Sequence, residues 1–297
     1  MNAHQPPQMA KTNGIELCYE IFGAPDAEPL VLIMGLGAQM IHWDDEFCQQ
    51  LAGRGFRVIR FDNRDIGKST RMSGGKPLRA MELIKLRLFK IAPEAPYKLW
   101  DMANDVIGLL DALGIRKAHI VGASMGGMIA QTLAIRHPDR VKTLTSIMSS
   151  TGEPGLPPPS PEALLVLMSP TPLDWDGYAK RYVKTWTVLR AGSFPLDEAR
   201  DLVRARAAFD RGLNPPGVAR QLAAVVASGS RKEALAAVRA PTLVIHGDAD
   251  PLVPLEAGKA TARAVPGAKL TIVKGMGHAL PISQWPQIID AIAAHAR

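Results

Sequence analysis

The stretch HIVGASMGGMIAQ, from His119 to Gln131, sets Gly122, Gly126 and Gly127 around one serine, Ser124. A β-branched apolar run leads into it, and a segment with helical spacing of apolar residues leads out. Glycines gather wherever a strand turns tightly into a helix. They also gather where such a turn holds a serine exposed. The rest of the chain decides between the two.

Short apolar runs recur along the chain: LVLIM (30–34), FRVIRF (56–61), AHIVG (118–122), TLTSIM (143–148), TLVIH (242–246) and KLTIV (269–273). Each has the length and continuity of a strand buried on both faces, as in a parallel sheet. Between them, WDMANDVIGLLDALG (100–114) and MIAQTLAIRHP (128–138) have helical periodicity and stop at Gly114 and Pro138. NGIELCYEIFG (13–23) alternates as an antiparallel edge strand does. Strands alternating with helices define an α/β class with a mostly parallel sheet flanked by helices. The rhythm breaks between about 150 and 240, where a proline-rich linker leads into helix-like stretches with no strand between them. The expected organisation is a core of 1–150 and 240–297 with an inserted helical cap over 151–239. A further amphipathic stretch, 78–93, reads as a surface helix or a lid.

Composition narrows the function classes. Of 297 residues, 47% are apolar, a globular value, and no run reaches the ~18–20 apolar residues of a membrane span. The opening MNAHQPPQMAKTNG has no apolar signal region, so the expectation is a cytoplasmic protein without stable membrane insertion. The net charge of +7 invites a nucleic-acid reading, but the basic residues are scattered and alternate with no aromatics. A solvated surface accounts for them, and no nucleic-acid partner is expected. Cys18 and Cys48 have no CxxC spacing and read as packing residues. No His, Cys or carboxylate cluster has metal-ligand spacing, so neither metal nor cofactor is expected. The composition leaves the oligomeric state open.

With a strand before it and a helix after it, Gly122-Ala123-Ser124-Met125-Gly126 fits G-x-S-x-G, the nucleophile elbow. The serine there takes a strained backbone that projects its hydroxyl from the sheet, and side chains two residues away on either side would collide with neighbours. A serine needs a base and a carboxylate that orients the base. Among seven histidines, His278 lies in the glycine-flanked loop KGMGHALP (274–281) directly after the last strand run. His42, after the first strand-to-helix turn, is the weaker candidate. The carboxylate is expected from HGDADPLVP (246–254), where Asp250 lies farther out than Asp248; Glu153 is a third candidate. Asp248 suits an Asx-type turn. Oxyanion donors are expected at the backbone N–H of Met125 and, from the glycine loop MGLGAQ (34–39), of Leu36.

Together, MGLG (34–37), FDNRDIGKS (61–69), GASMGG (122–127), HGDADPLVP and GMGHALP resemble the α/β-hydrolase-fold serine hydrolases. The order and wording are similar to the esterase branch that includes aclacinomycin methyl esterase. The resemblance covers roughly 13–150 and 240–295 and implies an α/β-hydrolase fold with a Ser124-Asp250-His278 triad. It also implies that Asp62, Arg64 and Ser69 form a structural turn. Many relatives open the oxyanion loop with His-Gly; here Met34 stands in place of the histidine, so the loop must be held in another way.

The expected activity is hydrolysis of a small-molecule carboxylic ester through an acyl-enzyme. A cofactor-free haloperoxidase or perhydrolase, a lactone or C–C hydrolase, and a non-catalytic small-molecule receptor remain open on the same residues. The cap aromatics Trp175, Tyr178, Tyr182, Trp186, Phe194 and Phe209 are candidates to line an acyl or alcohol pocket, with packing between cap helices accounting for most of them. Tyr182 and Trp186 are carried as substrate-binding candidates.

Overall fold

The computed structural model describes residues 4–74 and 93–297. Eight strands form one sheet: β1 (His4–Thr12), β2 (Ile15–Phe22), β3 (Glu28–Ile33), β4 (Phe56–Phe61), β5 (Ala118–Ala123), β6 (Val141–Ile147), β7 (Thr242–Gly247) and β8 (Lys269–Val273). Their order is β1-β2-β4-β3-β5-β6-β7-β8. β2 runs antiparallel to both β1 and β4, while every pairing from β4 to β8 is parallel. The segment 78–93 falls, up to residue 92, outside the described residues.

The apolar runs become strands because both faces of the sheet are covered. Leu30 and Leu32 of β3 pack with Phe47 and Leu51 of α1 (Asp45–Gly53) and with Ile288 and Ile292 of α10 (Trp285–His295). Val31 and Ile33, pointing the other way, pack with Val106 and Leu109 of α2 (Leu99–Ala112) and Ile129 and Leu133 of α3 (Met125–Arg136). A two-residue side-chain period with both faces apolar yields the unbroken Val/Ile/Leu runs. Each fully buried aliphatic side chain contributes about 1.5–3 kcal/mol relative to exposure.

One expectation needs correction. The run 13–23 is not an edge strand: β1 pairs outside it and forms the edge. β1 includes Pro6 and Pro7, which cannot donate to a ladder, and its register shifts between Gln5 and Gln8. Prolines are tolerated where one side of a strand faces solvent.

Between β6 and β7 lie five helices and no strand: α4 (Pro161–Met168), α5 (Trp175–Leu189), α6 (Glu198–Arg211), α7 (Pro215–Ser228) and α8 (Lys232–Leu235). Ser160, Asp174 and Asp197 cap α4, α5 and α6, each accepting a backbone N–H from the first turn. Arginines seat this insertion on the sheet domain. Arg204 pairs with Asp44 at 2.6 Å, Arg220 grips Asp65 at 2.7 and 2.9 Å, and Arg211 pairs with Asp62. α9 (Leu255–Ala264) follows β7.

Strand order also places the site. The chain leaves β3 toward β4, then returns to set β5 on the other side of β3. The crevice beyond the carboxyl ends of β3 and β5 is therefore a topological switch point, where α/β sheets bind ligands.

Candidate active site

Ser124 sits between β5 and α3 with φ 56° and ψ −122°, outside the regions an L-residue ordinarily occupies. The surrounding glycines permit this. A Cβ on Gly122 would lie 2.1 Å from the carbonyl oxygen of Gly126, and one on Gly126 would lie 2.1 Å from that of Ile33. On Gly127 it would meet Ser149 at 2.6 Å. All three glycines are needed for close packing.

His278, from the loop after β8, and Asp250, from the loop after β7, meet this serine. His278 Nε2 is 2.9 Å from Ser124 Oγ, and Nδ1 is 2.8 Å from Asp250 Oδ2. The carboxylate can only accept, so Nδ1 carries the hydrogen and Nε2 is free to accept from the serine hydroxyl. Asp250 is held on its other oxygen by the N–H groups of Leu252 at 2.9 Å and Val253 at 2.8 Å. Below it, burial depresses the pKa of His246, which donates through Nε2 to Val253 O at 2.7 Å and tightens the same turn. Asp248 instead accepts from Gly275 N–H at 2.6 Å, stapling the two loops together. Glu153 pairs with Lys232.

The histidine loop is tightly packed rather than free to swing. Met276 is fully buried, the His278 N–H donates to Leu189 O at 2.6 Å, and a Cβ on Gly277 would lie 2.4 Å from that same oxygen. Its glycines admit the end of α5.

The glycine loop after β3 lies against the serine: a Cβ on Gly35 would be 3.1 Å from Ser124 Cβ. Leu36 N–H has no hydrogen-bond partner among the described residues. Met125 is the first residue of α3, where backbone N–H groups lack intrahelical acceptors. Leu36 and Met125 both line the cavity that contains Ser124 and His278.

That cavity has a volume of about 700 Å³ and lies between the strand ends and the helical insertion. Tyr178, Tyr182, Trp186 and Phe194 line it, whereas Trp175 and Phe209 pack edge to face on each other, their ring centroids 5.7 Å apart. His42 also lines it, but not as a base. Its Nδ1 donates to Gln39 O at 3.1 Å, and its Nε2 accepts from the Tyr182 hydroxyl at 3.1 Å. Burial, helped by the nearby Arg204 charge, pushes its pKa down to about 3, so it is a neutral wall residue. The link from His42 to Tyr182 has no local signal in the sequence, because the partners are 140 residues apart. Burial raises the pKa of both free thiols, Cys18 and Cys48, the latter to about 12. Among the described residues no three His, Cys, Asp or Glu side chains are placed to hold a metal ion, and no helix is long and apolar enough to cross a membrane.

A strained serine at the sheet's switch point, hydrogen-bonded to a histidine that a carboxylate orients, is the arrangement that activation of a serine hydroxyl requires. The chain belongs to the α/β-hydrolase fold family, whose model matches residues 28–283. It is 31% identical to rhodomycin D methylesterase DauP of Streptomyces sp. (strain C5), with 98% of each chain covered. It is 27% identical to a putative carbamate hydrolase, RutD, of Caulobacter sp. (strain K31), over 93% of each. Among solved structures, a hydrolase from Pseudomonas aeruginosa PA01 superposes with a TM-score of 0.71 at 26% identity, covering 98% of this chain and 97% of that one.

Proposed function

We propose that the protein is a carboxylic ester hydrolase acting through an acyl-enzyme on Ser124, with residues 151–239 as its cap. The carrying observation is the hydrogen-bonded chain from Ser124 Oγ through His278 to Asp250, at 2.9 and 2.8 Å. His278 Nε2 takes the hydroxyl proton as Oγ attacks the ester carbon. Asp250 keeps the imidazole oriented and stabilises its protonated form. The oxyanion that develops lies against the Leu36 and Met125 amides, where the α3 N-terminus adds its positive end. Collapse expels the alcohol, which receives the proton from His278. Water then gives a proton to His278 as it attacks the acyl carbon; collapse breaks the bond to Ser124 Oγ, which takes the proton back from His278, and the acid leaves.

The resemblance to methylesterases supports a methyl ester as the scissile group, and the wide apolar cavity supports a bulky acid. A fluorophosphonate probe should label Ser124 alone. Ser124→Ala should abolish both labelling and ester turnover while circular dichroism stays unchanged. Turnover surviving in that variant would sink the mechanism.

A further inference from the structure

An oxyanion donor is useful only if it is held still. Two side chains hold the glycine loop. At its start, Asn63 Nδ2 donates to Met34 O at 2.9 Å. At its end, Gly37 N–H donates to Gln221 Oε1 at 2.9 Å. Gln221 comes from α7 in the insertion, 184 residues away, and is fully buried. Its Nε2 donates in turn to Arg64 O at 2.9 Å. A backbone N–H can only donate and a carbonyl can only accept, so these neighbours fix which way the amide faces.

The anchor at the far end is firm. Arg64 is clamped by Asp105 through two contacts of 2.6 Å. Gly37 has φ +68°, and a Cβ there would lie 3.2 Å from Val218 of the same helix, so α7 packs directly on the turn. Gln221 thereby fixes the Leu36–Gly37 peptide plane, next to the plane that carries the Leu36 N–H. Between the two clamps, the Gly35 and Leu36 N–H groups have no hydrogen-bond partner among the described residues.

We infer that Gln221 is a positioning residue for the oxyanion hole: from the cap, it holds the Leu36 amide where the tetrahedral intermediate's oxygen forms. The inference rests on the hydrolase reading above. It makes the cap part of the catalytic geometry, because the donor keeps its place only while α7 is seated.

The test uses the full chain with Gln221→Leu, which removes both bonds, and Gln221→Glu, which keeps the acceptor for Gly37 but loses the donor to Arg64. Losing one oxyanion donor costs about 10²–10³ in kcat, and a displaced donor should cost less, about 10–10² for Gln221→Leu. KM for a p-nitrophenyl ester should stay within about twofold. Affinity for a trifluoromethyl ketone, which forms a tetrahedral adduct on serine, should fall in parallel with kcat. Affinity for the planar carboxylate product should not change. Gln221→Glu should lie between the wild type and Gln221→Leu, and it supplies the readout if Gln221→Leu does not fold. Unchanged kcat in a folded variant, or equal loss of ketone and product affinity, overturns the assignment alone. A wild type that neither turns over ester nor binds the ketone through Ser124 overturns the hydrolase reading with it.

Discussion

Ser124 holds a strained backbone, and that is why five residues of sequence mark the turn. Each glycine around it meets a named atom at 2.1–2.6 Å once a Cβ is added, so the spacing records a steric requirement. The two aspartates after β7 are a finer case. Asp250 is buried against His278, whereas Asp248 is exposed and serves a backbone amide. Asp250→Asn should therefore lower kcat by about 10⁴, as in triads where the imidazole tautomer is lost. Asp248→Asn should cost less than about tenfold and act mainly through stability, since an amide oxygen can still accept from Gly275 N–H. Steady-state kinetics on both variants decides the matter, and reversed effects would move the acid to Asp248. Sequence distinguished them by position along the loop; it placed His246 in a strand run as a core residue but did not show that it braces that loop through Val253 O.

Elements were legible where burial is uniform. The parallel strands read directly because both faces are apolar, while β1 escaped notice because an edge strand tolerates Pro6-Pro7 and exposes most of its residues. Its pairing is seen only against β2, where the ring of His4 stacks on Phe22 at 4.2 Å. The insertion's helices were equally plain, but not their seating. Asp65, with φ 74° and a fully buried side chain, accepts from Tyr97 at 2.7 Å and from Arg220 at 2.7 and 2.9 Å. Replacing Arg220 by Met would leave that carboxylate buried with only neutral donors. The expected loss is about 3 kcal/mol of unfolding free energy, at the lower end for a broken buried pair because Tyr97 and Asn214 remain nearby. Arg206→Met removes a half-exposed pair with Asp210 on the same helix and the guanidinium stacked 4.8 Å from the Trp175 ring centroid, and should cost about 1 kcal/mol. Urea unfolding of the two variants gives the comparison. Equal midpoints would mean that the Arg220–Asp65 pair does not help to hold the insertion.

Across the whole molecule, the sheet supplies the hydrogen-bonded serine, histidine and aspartate, and the insertion supplies most of the room. Ser124, Asp250 and His278 come from loops after β5, β7 and β8, whereas Tyr178, Tyr182, Trp186 and Val218 come from the helices above. The first set lies in motifs that occur in a fixed order along the sequence. The second set has no motif, because a cavity wall needs only apolar bulk at positions decided by packing between distant helices. Cavity size is thus a property of the assembled molecule, and it carries a consequence for substrate choice. A short ester would leave most of about 700 Å³ to water, while a fused-ring acid would bury its faces on His42, Tyr182 and Trp186. If such a ring system hides about 100 Å² more apolar surface than a hexanoate, the gain is about 2.5 kcal/mol at most. Allowing for imperfect fit, kcat/KM for the methyl ester of a tricyclic carboxylic acid should exceed that for methyl hexanoate by at least about tenfold. Trp186→Ala opens the wall beside His42, whose ring lies 5.6 Å from the indole, and should reduce that ratio severalfold while leaving methyl acetate turnover within twofold. A ratio near one in the wild type would mean that the cavity closes or fills with water during turnover, and that the cap aromatics serve only to pack the insertion.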